Sequence, residues 1–180
     1  MYGRREPPMD THEAAYTIRK ARPEEAETLA RIWHAAWVDG HLGHVPEELL
    51  PYREAEHFVP RTRERIANMW VAESGGRPVG FVVVKGDELE QLFVERAARG
   101  TGVAAMLLRR GEAEIRRAGH RRAWLAVVAG NQRARSFYSR LGWRDAGAFT
   151  YMAETTAGPM PVPSHRYEVD LADRAGDDSP

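Results

Sequence analysis

Two glycines one residue apart, Gly100 and Gly102, separate an apolar run from a helix-like run in "QLFVERAARGTGVAAMLL", residues 91–108. A helix N-terminus presents unpaired backbone N–H groups and about half a positive charge. Phosphate oxygens complement both. Glycine lets the backbone approach a phosphate closely, because no side chain intervenes. Arg96 and Arg99 lie just before the helix and could add cationic contacts. The stretch points to a bound phosphate ester or pyrophosphate, although a glycine pair also marks ordinary strand-to-helix turns.

Two other phosphate motifs fit less well. "GTGVAA" formally satisfies the dinucleotide pattern G-x-G-x-x-A. That pattern places its first glycine close behind the strand, whereas "ERAAR" separates Val94 from Gly100. It also wants an acid about 20 residues onward at the end of the next strand, and "RRAWLAVVA" contains none. A P-loop is excluded, since no G-K-S/T occurs.

The remaining composition narrows the chemistry. The 180 residues fit one domain with tails and can bury a core. With 26 basic and 26 acidic residues the chain has no overall field to hold nucleic acid or an anionic membrane. The absence of cysteine removes disulfides, thiolate zinc sites and a cysteine nucleophile. His41 and His44 lack a partner pattern for metal, so no metal is expected. No apolar run reaches the length of a membrane span, and "MYGRREPPMDTHEAA" has no signal-peptide core. A cytoplasmic protein is the expectation.

The elements that must position these residues follow from pattern. "AYTIRKA" alternates like a strand. A helix follows from Pro23, with Leu29, Ile32, Trp33, Ala36 and Trp37 at helical spacing. "EELLPYREAEHFVPRTRERIAN" is predicted as one or two short helices interrupted by Pro51 and Pro60, its "RTRERIAN" run a solvated face. "MWVAES", "GGRP" and "VGFVVVKG" predict a hairpin, and "ELEQLFV" a third strand. A helix over 102–117, the buried strand "RRAWLAVVA" and a helix over 131–141 follow, with Gly142 as C-cap. "WRDAGAFTYMA" and "SHRYEVDL" are expected to form a final hairpin around "ETTAGPMPVP". Interleaved strands and helices place the chain in the α/β or α+β class with a mixed sheet. The expected domain spans 15–171, between flexible tails at 1–14 and 172–180.

Two stretches together carry a family resemblance. "RGTGVA", residues 99–104, resembles the acyl-CoA pyrophosphate loop of GCN5-related N-acetyltransferases (GNAT), Q/R-x-x-G-x-G/A, with Arg99, Gly102 and Ala104 in its defined positions. "VVAGNQRARSFYSRLGW", residues 127–143, is similar to the family's second signature: strand, asparagine, short helix, aromatic pair, glycine-aromatic. The resemblance implies a central mixed, mostly antiparallel sheet with helices on both faces, in which the parallel strands "ELEQLFV" and "RRAWLAVVA" splay apart to admit acetyl-CoA as co-substrate. Backbone groups of Leu92, Phe93 and Val94 would pair with the pantetheine arm. Amides of Arg99, Gly100, Thr101, Gly102, Val103 and Ala104 would hold the pyrophosphate, and Asn131 and Ser136 would approach from the other side. Dimers are common in the family, so a homodimer is one expectation.

The implied reaction is direct attack of a small-molecule or peptide amine on the thioester. Tyr138 is the implied general acid, since a phenol of pKa about 10 is protonated at neutral pH. It also lies on the apolar stripe Ala134, Phe137, Tyr138, Leu141 and could simply pack. Strict alternation would put Glu88 and Glu90 on the face of Leu92 and Val94, making Glu90 the candidate base, unless both only solvate the strand's start. An N–H near Val94 would stabilise the oxyanion. Asn131 is an N-cap by default and could cap and bind together. Trp37 and His41 border the implied acceptor pocket, while Trp33 is expected to pack. A second reading keeps the phosphate loop without catalysis: an acyl-CoA-binding module.

Overall fold

The computed structural model describes residues 16–174; the expected tail at 1–14 and the end of the other lie outside them. Helix α1 (Ala26–His41) follows a 3-10 turn begun by Pro23, and buries Leu29, Ile32, Trp33, Ala36 and Trp37 as the spacing required. Helix α2 (Phe58–Arg65) contains Pro60 in its first turn, where a missing N–H leaves no helical bond unmade. Pro60 therefore sits inside this helix instead of interrupting it. Pro51 lies in a preceding 3-10 helix, Glu47–Tyr52.

Strands β2 (Met69–Ser74) and β3 (Arg77–Lys85) form the expected hairpin. Gly75 and Gly76 turn it with φ of 57° and 77°, the left-handed values that match strand twist. The last hairpin is longer than the sequence suggested. Strand β6 (Arg144–Ala153) pairs with β7 (Met160–Asp170), so the loop shrinks to 154–159. Pro161 and Pro163 are accommodated because β7's pairing with its other neighbour stops at Ser164, leaving their missing N–H groups beyond that strand's end.

With β1 (Thr17–Lys20), β4 (Glu88–Val94) and β5 (Arg122–Val128), the described residues form a sheet of seven strands in the order β1-β2-β3-β4-β5-β7-β6. Every neighbouring pair is antiparallel except β4 and β5. Helices α1 and α2 cover one face, where Trp33 and Phe58 pack on Phe81, Val83 and Phe93. Helices α3 (Val103–Arg117) and α4 (Gln132–Arg140) cover the other, over Val82, Leu89, Leu92 and Val94. Gly111 of α3 is required by this packing: a Cβ there would stand 2.8 Å from Leu89 Cδ1 and 3.2 Å from Val82 Cγ2.

Two irregularities shape the middle of the sheet. The parallel pair β4 and β5 is registered at one position, Glu88 opposite Trp124, with Trp124 N–H donating to Asp87 O at 3.1 Å. Beyond Glu88 the strands part. A bulge also falls in β4, where Gln91 faces Val83 but Leu89 faces Val84, so Glu90 is the extra residue. The bulge overturns the strict alternation expected for this strand. Leu92 and Val94 face α3, whereas Glu90 turns to Arg65 of α2 on the opposite face.

The expected tail from 172 begins with structure: Ala172–Arg174 is a 3-10 turn. Arg174 donates to the buried carboxylate of Glu112 in α3 at 2.9 Å and to the carbonyl of Leu141 at the end of α4. Trp143 Nε1 donates to the same carboxylate at 2.8 Å. The turn thus fastens α3 to the end of α4. No helix among the described residues is long and apolar enough to cross a membrane.

Candidate active site

A cavity of about 400 Å³ opens at the mouth of α3. It is lined by Leu92, Phe93 and Val94, by Arg99, Gly100, Gly102 and Ala104, and by α4. Gly100 and Gly102 have φ of 78° and 87°, and a Cβ on either would meet nothing within 4 Å. Both lie where the backbone must be left-handed and where a ligand can come close. The first bond of α3 runs from Met106 N–H to Gly102 O at 3.2 Å, leaving the N–H groups of Val103, Ala104 and Ala105 without helical acceptors. Arg99 and Arg96 are held by Asp39 at the end of α1, at 2.8 and 2.7 Å. Arg96, then Arg99, hold the Asp39 carboxyl below its ordinary value. Glycine approach, free N–H groups and a guanidinium fit a diphosphate.

The parted strands continue this cavity into a narrow gap of about 90 Å³. Glu95 N–H donates to Val79 O at 2.8 Å, so alternation turns the N–H groups of Leu92 and Val94 away from β3 and into the gap. Tyr138 lines both cavity and gap. It is 8% exposed and packs against Phe137, Trp143 and Tyr167. Burial alone pushes its phenol well above its ordinary value, so the hydroxyl keeps its proton. Asn131 also lines both, and its Oδ1 accepts from Ala134 N–H at 3.1 Å as the N-cap of α4. Gly40 of α1 makes room for it: a Cβ there would stand 2.9 Å from Asn131 Nδ2.

On the α2 side the gap meets a third cavity, also about 90 Å³, lined by Trp37, His41, Arg53, Arg61, Arg65, Glu90 and Tyr151 among others. Trp37 and His41 stack at 4.9 Å. His41 Nδ1 lies 3.0 Å from Trp37 O, which can only accept, so Nδ1 carries the proton and Nε2 a lone pair. Burial pulls His41 down to about 4. Arg65 Nε lies 3.1 Å from each oxygen of Glu90, and its Nη2 donates to Glu154 at 2.7 Å. Tyr151 donates to Glu88 at 3.1 Å, and burial raises Glu88 to about 6.

The depressed His41 makes folding pH-dependent. Between pH 6.5 and 4 the unfolded chain takes up this proton before the folded one, so His41's stabilising contribution is present above 6.5 and lost as pH falls. Glu88 acts with the opposite sign, but it is common to wild type and a His41 variant. Chemical denaturation should therefore show wild type losing about 2 kcal/mol more than His41→Gln between pH 7 and 5. Equal losses would mean that His41 is not held neutral by its site.

The structure gathers most of the residues singled out from sequence. Leu92, Phe93, Val94, Arg99, Gly100, Gly102, Ala104, Asn131 and Tyr138 line the first cavity; Glu90, Trp37 and His41 line the third. Thr101 folds back, donating to Ala98 O at 2.6 Å, and Val103 is buried in the core. Only their backbone groups face the helix mouth. Ser136 is not brought to the cavity: α4 presents Arg133, Ala134, Phe137 and Tyr138, while Ser136 meets Gln132 on the exposed side. Trp33 is fully buried in packing, as expected. The sequence reading missed Arg133 and Arg140, whose seven-residue spacing puts both on one helical face, and missed Arg53, Arg61 and Arg65. "RTRERIAN" was expected to be a solvated face, but Arg61 and Arg65 turn inward.

Comparisons with known proteins converge on one family. Residues 24–143 match the model of the acetyltransferase (GNAT) family. The peptidyl-lysine N-acetyltransferase YjaB of Escherichia coli (strain K12) is 30% identical over 132 residues, covering 73% of this chain and 84% of that protein. A GCN5-related N-acetyltransferase from Rhodopseudomonas palustris superposes with a TM-score of 0.68 at 20% identity, over 86% of this chain and 94% of that one. A PaiA N-acetyltransferase from Thermoplasma acidophilum, solved in complex with coenzyme A, superposes with a TM-score of 0.64 at 19% identity, over 87% and 99%.

Proposed function

The chain belongs to the GNAT acetyltransferase family, whose co-substrate is acetyl-CoA, and on that premise we propose that it acetylates a primary amine of a small molecule or peptide by direct attack in a ternary complex. The observation that carries this is the meeting of two cavities at one gap. Tyr138 lines the gap and the diphosphate side; His41, Glu90 and Gln91 line the gap and the opposite side. Two substrates can reach the same point from different directions without an acyl-enzyme, and no cysteine exists to form one through sulfur.

Acetyl-CoA supplies a thioester as acetyl donor: a C–N bond forms, the C–S bond breaks, the amine loses a proton and the thiol gains one. The main-chain N–H groups of Gly102 to Ala105, with Arg99, hold the diphosphate. Val94 N–H points into the gap and donates to the carbonyl oxygen as charge builds there. Tyr138 donates its hydroxyl hydrogen to the departing sulfur. On the amine side Glu90 and the lone pair on His41 Nε2 receive the hydrogen bonds of the incoming group. Arg65 keeps Glu90 in place, so that the carboxylate orients the incoming amine and the water that takes up its proton.

The test is coenzyme A release from acetyl-CoA with a broad panel of amines. Acceptor-dependent release with matching acetylated product supports the reading. Binding of acetyl-CoA with no transfer to any amine would instead favour the non-catalytic acyl-CoA-binding module.

A further inference from the structure

The acceptor cavity holds more guanidinium than its carboxylates neutralise. Of its three arginines, Arg65 is matched, by Glu90 and Glu154. Arg53 is only 6% exposed, yet its bonds run to main-chain carbonyls, Tyr52 O and Glu154 O, both at 2.9 Å. Arg61 lies over the rings of Trp33 at 4.6 Å and Phe58 at 5.4 Å, and its buried Nη1 has no hydrogen-bond partner among the described residues. Neither makes an ion pair with a described residue. Burial lowers both, Arg61 to about 9, and the neighbouring arginines lower them further. A buried unmatched cation is costly, and among the described residues these two have no anionic partner. Both also line an outer cavity of about 620 Å³ that leads in past His57 and Pro159.

Resting on the acetyltransferase reading above, we propose that the acceptor is an amine that carries its own carboxylate, seated between Arg53 and Arg61, with its amino group directed to Glu90 and the gap. The planar guanidinium fork matches a carboxylate. Glu90 and Glu154, already paired with Arg65, face the same space and disfavour a doubly charged phosphate. A lysine side chain of a protein offers no anion to Arg53 and Arg61, and these two unmatched guanidiniums would repel its ammonium on the way in. This separates the chain from its relative YjaB, whose name assigns it peptidyl-lysine.

The experiment compares kcat/KM, with saturating acetyl-CoA, for amines paired so that one member has the carboxylate and the other does not: amino acids against their carboxamides, and lysine against cadaverine. The carboxylate member should be preferred by at least about 30-fold in the best pair. Arg61→Gln should cut that member's kcat/KM by about 30-fold, change its partner's by less than about 3-fold and leave acetyl-CoA affinity unaltered. Arg53→Gln should act alike if it folds; Arg61→Gln, which removes no described hydrogen bond, keeps the test alive if it does not. Transfer without carboxylate preference, or an Arg61→Gln loss shared equally by both members, overturns the proposal and leaves the acetyltransferase reading standing. Tight acetyl-CoA binding with no transfer to any amine overturns both.

Discussion

Ala104→Glu is expected to weaken acetyl-CoA binding at least about 100-fold while the protein folds as before. Ala104 lies in the first turn of α3 and lines the cavity beside Gly102. Glutamate is a good helix former, and a carboxylate near a helix N-terminus is worth about 0.3–1 kcal/mol to the helix. The melting temperature should therefore hold or rise slightly. The same carboxylate would occupy the place meant for phosphate oxygens and take their N–H donors. Each charge-assisted bond lost costs about 1.5–3 kcal/mol, and two suffice for the stated loss. Met106→Glu, on the exposed side of the same helix, is the control and should bind normally. Calorimetry of the two variants distinguishes loss of an anion site from a change of net charge. Equal affinity in both would mean that the helix mouth does not hold the diphosphate.

Tyr138→Phe is expected to lower kcat by about 10²–10³-fold with acetyl-CoA affinity changed by less than about 3-fold. The ring contacts with Phe137, Trp143 and Tyr167 survive the substitution. Only the hydroxyl is removed, and burial is the sole influence on its ionisation, with no partner bond. The hydroxyl opens on the cavity and no described bond from it is broken, so stability should stay within about 0.5 kcal/mol of wild type. Lost turnover with unchanged stability and unchanged acetyl-CoA affinity is a signature that a merely packing tyrosine would not give. Because the phenol is held above its ordinary value, turnover in wild type should show no basic limb from this group up to about pH 10. An unchanged kcat in the phenylalanine variant would remove Tyr138 from the reaction.

The order of elements was legible because each carries a local signal. The double glycine of the β2–β3 turn, Asn131 before α4 and Gly142 after it report backbone requirements that sequence states directly. The glycine loop before α3 was legible for the same reason, since Gly100 and Gly102 answer to a left-handed φ, which is local. What escaped depends on register or on partners far along the chain. One inserted residue at Glu90 turned the acidic side chains of β4 to the face opposite the one that strict alternation assigns. Arg61 and Arg65 have the composition of a solvated helix, and only the placement of α2 against α1 and β4 turns them inward. Arg53 is buried through a carbonyl 101 positions away, at Glu154. Pro161 and Pro163 looked like loop because nothing nearby in sequence shows that β5 ends before it reaches them. Ser136 differs from Tyr138 only by its angle around α4, which the signature alone does not orient.

The central claim is that a thioester lies between β4 and β5 with its diphosphate at the mouth of α3. Backbone hydrogen exchange, measured with and without saturating acetyl-CoA, reads it residue by residue. Exchange should slow at Leu92, Val94 and residues 100–105, whose N–H groups have no partner strand or helical acceptor of their own, and stay unchanged along the β6–β7 hairpin. Saturated binding with no protection at those amides would contradict the claim.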